Sequence, residues 1–171
     1  NELLRNLKYK GEQGVNMGSK MLTGSMLLGG MLLGIIMVFV EPSASDTDSF
    51  AIAIQKLIDN STQARLSGVG LTIAILGALI GLGYLARSMQ GEQKPGSDLA
   101  GLASVFAFLA AAVCTVSSGI QLSLMDVSYT DRGGDVANAY AISEGLGQSM
   151  FGLIGASMFF LGIAIVRQKN L

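Results

Sequence analysis

Leu66-Ser-Gly-Val-Gly-Leu-Thr-Ile-Ala-Ile-Leu-Gly-Ala-Leu-Ile-Gly-Leu-Gly-Tyr-Leu85 carries no charged side chain from end to end. A helix needs about 20 mostly apolar residues to cross a hydrocarbon core of about 30 Å, and this stretch supplies them. Three more stretches of the same kind lie at Lys20–Val40, Leu99–Leu124 and Ala139–Val166. Together the four occupy over half of the chain. In hydrocarbon every backbone polar group must be satisfied within its own segment, which a helix does and an irregular chain does not. The pattern predicts an all-α membrane protein with four transmembrane helices in an antiparallel bundle, one domain over residues 1–171.

Composition points the same way. Of the 171 residues 50% are apolar and 13% are charged, against about 25% charged in an ordinary soluble domain. A net charge of −1 argues against a nucleic-acid partner. There is no histidine, which removes the commonest general base and the commonest metal ligand together. Cys114 is the single cysteine and falls inside the third stretch, so no internal disulfide and no cysteine-based metal motif can form. We therefore expect no enzyme activity, no cofactor and no metal. The expected partners are the lipid bilayer, bound lipids and other membrane subunits, identical or different.

Lys and Arg sort by side. The N-terminal tail, the loop from Arg87 to Asp98 and the C-terminal tail hold Arg5, Lys8, Lys10, Lys20, Arg87, Lys94, Arg167 and Lys169, whereas the other two loops hold Lys56, Arg65 and Arg132. The positive-inside rule puts both termini and the middle loop in the cytoplasm. Glu41, Asp46, Asp48, Asp59, Asp126, Asp131 and Asp135 fall in the two outer loops. Met21–Val40 is long for the hydrophobic region of a signal peptide, so it is read as a span although Pro42-Ser-Ala-Ser45 resembles a cleavage site. In the first outer loop Phe50, Ile54, Leu57 and Ile58 share one side of a short amphipathic helix, with Asp48 or Ser49 as its N-cap. Pro95-Gly96 breaks the chain between the two hairpins. In the tail, Leu3, Leu4 and Leu7 stand among basic residues, as in a solvated tail or a segment lying on anionic lipid.

Small residues recur at helical spacing inside the spans. The first span has Thr23, Gly30 and Gly34, and the second has Gly70, Ala74, Gly77 and Gly81. The third has Ser104, Ala107, Ala111, Cys114, Ser118 and Gln121 along one face, and the fourth has Gly145, Gly152, Gly155 and Gly162 with Gln148 on the same stripe. Lipid tails give helices no hydrophobic reason to associate, so close backbone approach has to supply the packing energy, and small residues permit it. Gly30–Gly34 and Gly77–Gly81 are GxxxG matches, easily reached by chance among 23 glycines. These faces either hold the chain's own helices together or meet a neighbouring subunit. With the small faces inward, Phe106, Phe108, Phe151, Phe159 and Phe160 are expected to point to lipid or to partners.

Ionisable groups within hydrocarbon are functional candidates, and the span midplanes offer almost none. Ser117, Ser118, Gln121, Tyr140, Glu144 and Gln148 gather near the outer ends of the third and fourth spans, either as a polar contact site or as ordinary interfacial polarity. Asn60-Ser-Thr62 matches a glycosylation acceptor, and Asp126, Asp131 and Asp135 lack the spacing of a calcium loop. The nine methionines lack accompanying histidine and a recurrent face, which makes them packing filler in preference to copper ligands. The leading expectation is a non-catalytic structural or assembly subunit of a larger membrane complex. The alternative is a homo-oligomeric channel or transporter with a polar outer mouth.

Overall fold

The computed structural model describes residues 2–42, 50–92, 94–124 and 136–169, with side chains described for 20–42, 52, 55–92, 94–124 and 138–168. Among these residues the protein is all helical, with no strand. The helices are α1 (Glu2–Val40), α2 (Phe50–Asp59), α3 (Ser61–Ser88), α4 (Ser97–Leu124) and α5 (Val136–Lys169). Four of them are long and apolar enough to cross a membrane, at Lys20–Val40, Ser61–Ser88, Ser97–Leu124 and Asn138–Gln168. Helix α3 begins before its apolar stretch, at Ser61, and α1 begins far upstream of its own, at Glu2. Asp46, Asp48, Ser49, Asp126, Asp131 and Asp135 lie outside the described residues, as do the side chains of Phe50 and Ile54 and the basic tail residues Arg5, Lys8 and Lys10.

Helix α1 packs against α3, α3 against α4 and α4 against α5, while α2 touches α3 lightly. The four spans thus form a row of neighbours, with α3 and α4 inside and α1 and α5 at the ends. Burial follows from this order. Helix α4 buries Ala100, Ala103, Ala107, Ala110, Cys114 and Ser117, which alternate between steps of three and four, with Ser104, Ala111 and Leu124 beside the same stripe. Helix α1 buries none of its span, and Met21, Leu28, Leu32, Ile35 and Phe39 are exposed along it. In a soluble protein such a face would be anomalous; on a spanning helix it is the surface lipid covers.

Two clusters fill the interior. Leu79 of α3 meets Ala110, Ala111 and Cys114 of α4 and Met150 of α5. Leu82 and Ala86 meet Ala103, Ala107 and Leu161, with Phe160 against them. The aromatic side chains depart from the expectation that all five point away from the chain. Phe151 and Phe159 are exposed. Phe106 stacks on Phe160 with centroids 5.6 Å apart, and Phe108 lies over Gly83 and edge-on to Tyr84. A glycine or alanine on one helix leaves a hollow, and a ring on the next helix fills it.

The α3–α4 connection is closed by turn chemistry. Ser97 N–H donates to the Lys94 carbonyl at 3.1 Å, and Gly96 has φ 76°. Proline at the second position and a positive-φ glycine at the third make a type II turn over Lys94–Ser97. The Ser97 hydroxyl accepts from Gly91 N–H at 3.0 Å. Gln168 of α5 donates to the Met89 carbonyl at 2.8 Å, pinning this loop to the end of the fourth span.

Candidate functional site

Glycine sets the separation of α1 and α3. A Cβ added at Gly30 would sit 2.6 Å from the Ala74 carbonyl oxygen and 2.8 Å from the Ala78 nitrogen, so here backbone meets backbone. At Gly81 it would sit 2.9 Å from Leu27 Cγ, and at Gly70 it would collide with the Met37 thioether. Gly77 and Gly34 leave more room: their nearest neighbours would be the Met26 carbonyl and Ala74 Cβ, each at 3.7 Å. Ala74 is buried. The structure therefore brings Gly30, Gly34, Gly70, Ala74, Gly77 and Gly81 into one interface between two helices of the same chain. Met37 faces Gly70, Gly30 faces Ala74 and Ala78, and Leu27 faces Gly81, so numbers fall along α1 as they rise along α3.

The glycines of the fourth span are placed differently. Gly145, Gly152, Gly155 and Gly162 are all exposed, and a Cβ added at any of them would meet nothing within 4 Å. They do not pack α5 against its own chain. That work falls to Ser143, Met150, Ser157, Leu161 and Ala164, on the opposite side of the helix. Ser157 donates its hydroxyl to the Ala103 carbonyl at 2.8 Å, and Ser117 donates to the Ser143 carbonyl at 3.1 Å. Gly96 lies against Ala164, where an added Cβ would be 3.1 Å from Ala164 Cα. Positions 103 and 117 of α4 thus match 157 and 143 of α5, with Ala110 and Met150 in one cluster between them and Gly96, just before α4, against Ala164, a spacing in multiples of seven on both sides. A step of seven keeps a seam nearly straight along a helix of 3.6 residues per turn. The serine hydroxyls on this seam are satisfied by carbonyls of the facing helix, as buried polar groups in a membrane must be.

The six outer polar residues sit in different surroundings. Ser117 is buried and joined to Ser143, with the two hydroxyls 3.3 Å apart. Ser118 lies 3.9 Å from Cys114 on its own helix. Tyr140 hydrogen-bonds to Glu144 one turn on. Gln121, Glu144 and Gln148 are exposed. Gln148 is five residues beyond Ser143, about 140° around the helix, so it shares the side of the α5 glycines. Ser143 and Ser157 escaped the sequence reading. Their signal is the small residue at 143, 157 and 164, spaced by multiples of seven, and the glycine stripe, with almost the same period, masked it.

Among the described residues no three His, Cys, Asp or Glu side chains converge on a metal position. An open cleft of about 540 Å³ beside the α3–α4 loop is lined by Gln90, Ser97, Asp98, Gly101, Leu102 and Val105. Asn60, of the acceptor pattern, stands between α2 and α3 and donates its amide to the Lys56 carbonyl. Compared with known proteins, the chain matches no family model, no curated protein and no solved structure.

Proposed function

We propose that this protein is a non-catalytic structural or assembly subunit of an integral membrane complex, held to its partners through α5. The observation that carries this reading is the stripe Gly145, Gly152, Gly155 and Gly162 turned away from the rest of the chain. Glycine weakens a helix interior by about 1 kcal/mol relative to alanine. On a lipid-covered surface it returns nothing for that cost, whereas against a second helix it permits close approach. The same reading takes the spans as an antiparallel bundle with both termini cytoplasmic, supported by the opposed numbering of the facing pairs and by the Lys and Arg distribution. It places α2 at the outer interface, supported by its apolar sequence and its position between α1 and α3.

Purification in a mild detergent, with native mass measurement and identification of partners, tests the proposal. The expected result is a fixed stoichiometry of chains, lost in a Gly152→Leu, Gly155→Leu variant that keeps its helix content. A chain that stays monomeric in every mild detergent overturns it. A second reading, a channel formed between copies, is favoured by Glu144 and Gln148, which lie exposed on the glycine side of α5 and would ring the outer mouth. Ion flux through the purified protein in liposomes, altered by Glu144→Gln, would replace the structural reading with this one.

A further inference from the structure

Helix α1 outruns the helix it packs on. Leu27 faces Gly81, and seven residues further along each helix bring Lys20 level with Ser88, where α3 ends. Yet α1 continues unbroken back to Glu2. At 1.5 Å per residue, residues 2–19 extend about 27 Å beyond the end of α3. The extension has little reason to stand alone in water. Most helical stability in proteins comes from tertiary packing, which α3 does not offer beyond its end, and this extension contains Gly11, Gly14 and Gly18, each weakening a helix interior. Its first part differs from its last. Residues 2–10 carry Arg5, Lys8 and Lys10 against Glu2, and Leu3, Leu4 and Leu7 fall within an arc of about 100° by helical spacing. The glycines follow directly and lie between this segment and the span.

We propose that residues 2–10 are a basic amphipathic anchor that folds down at Gly11, Gly14 and Gly18 onto the anionic headgroups of the inner leaflet. The proposal rests on the cytoplasmic placement of the N-terminus. The chemistry is charge complementarity: a surface of anionic lipid attracts juxtamembrane Lys and Arg, and leucines on one arc enter the headgroup boundary. A straight α1 would hold residues 2–10 out in water, so the glycines are the part of the device that lets the charges reach the surface.

The test uses the full chain with Asn6→Cys in a Cys114→Ala background, labelled with an environment-sensitive dye. It is reconstituted in vesicles of phosphatidylcholine alone or of equal parts phosphatidylcholine and phosphatidylglycerol. The dye should turn blue-shifted and shielded from an aqueous quencher only in the anionic vesicles. Replacing Arg5, Lys8 and Lys10 by Gln should lower the ratio of docked to free segment roughly a hundredfold and restore a water-like signal. Replacing Gly11, Gly14 and Gly18 by Ala keeps every charge and should also leave the dye in water. Equal exposure in both vesicles, or shielding that survives the Gln variant, overturns the anchor; shielding that survives the Ala variant overturns the bend. Orientation is read separately, by quenching in intact cells with a membrane-impermeant reductant. Quenching from outside would refute the cytoplasmic terminus while leaving the vesicle result to judge the lipid contact.

Discussion

Gly30 and Gly34 are one turn apart on the same face of α1, and the structure predicts opposite signs for the same substitution at the two. At Gly30 an added methyl would stand 2.6 Å from the Ala74 carbonyl oxygen, where ordinary contact begins at 3.4 Å. The two nearest obstacles, the Ala74 oxygen and the Ala78 nitrogen, are both backbone, so no side chain can swing away. Helices α1 and α3 must separate locally by about 0.8 Å, the difference between those two distances. A radial gap of about 0.5–1 Å forfeits a quarter to a half of each dispersion contact along the seam, and overpacking of this kind costs about 1–3 kcal/mol. Alanine recovers about 1 kcal/mol of helix propensity over glycine. Gly30→Ala therefore comes out destabilising, by up to about 2 kcal/mol. At Gly34 the nearest neighbour of an added methyl is Ala74 Cβ at 3.7 Å, an ordinary contact. Gly34→Ala keeps the propensity gain, adds a contact, and comes out stabilising by about 0.5–1 kcal/mol.

The assay is reversible unfolding in mixed micelles, with denaturing detergent titrated against a mild one and helix content followed by circular dichroism. Comparing two substitutions of identical chemistry cancels most effects on the unfolded state. Gly30→Ala should shift the midpoint down and Gly34→Ala up. Shifts of the same sign and size at both positions would refute the claim that backbone contact at Gly30 sets the α1–α3 distance.

Three further outcomes follow from the seams. Ser157→Ala removes a hydroxyl bonded to the Ala103 carbonyl at 2.8 Å and should cost about 0.5–1.5 kcal/mol in the same titration, whereas Ser149→Ala, whose hydroxyl is exposed and bonded within its own helix, should change little. Gly96→Ala places a side chain at φ 76° and 3.1 Å from Ala164 Cα; left-handed strain alone costs about 1–2 kcal/mol, so the midpoint should fall further than for Gly91→Ala. Cysteine introduced at Lys94 should react with thiol reagents only from the cytoplasmic side and cysteine at Asp131 only from outside, and the reverse pattern would invert the orientation.

Span number and class were legible because they rest on length and hydropathy, which a bilayer reads one segment at a time. Boundaries were less so. The apolar run of the second span starts at Leu66, but nothing in Ser61–Arg65 stops a helix, and α3 continues through it. The turn at Pro95-Gly96 was visible because proline and glycine each constrain the backbone directly. Facing was the hard part. In a soluble protein the apolar face turns inward and marks itself; in a bilayer both faces are apolar, and only side-chain size distinguishes them. On α3 size was sufficient, since Gly70, Ala74, Gly77 and Gly81 meet α1.

On α5 size alone did not choose between the two sides, and the reason bears on what the helix is for. It has two stripes at nearly the same period, Ser143, Met150, Ser157 and Ala164 on one side and Gly145, Gly152, Gly155 and Gly162 on the other. The first stripe is buried against α4, where the Ser157 hydroxyl donates to the Ala103 carbonyl and the Ser143 carbonyl accepts from Ser117. The second is exposed, and a Cβ added at any of its glycines would meet nothing within 4 Å. If the glycine stripe existed to join α5 to its own chain, the serine stripe would be redundant; if α5 simply closed the row against lipid, larger side chains would serve the exposed side better, as Phe151 and Phe159 do beside it. Helix α4 covers the first stripe, and the proposal of an assembly subunit follows from asking what covers the glycines of the second.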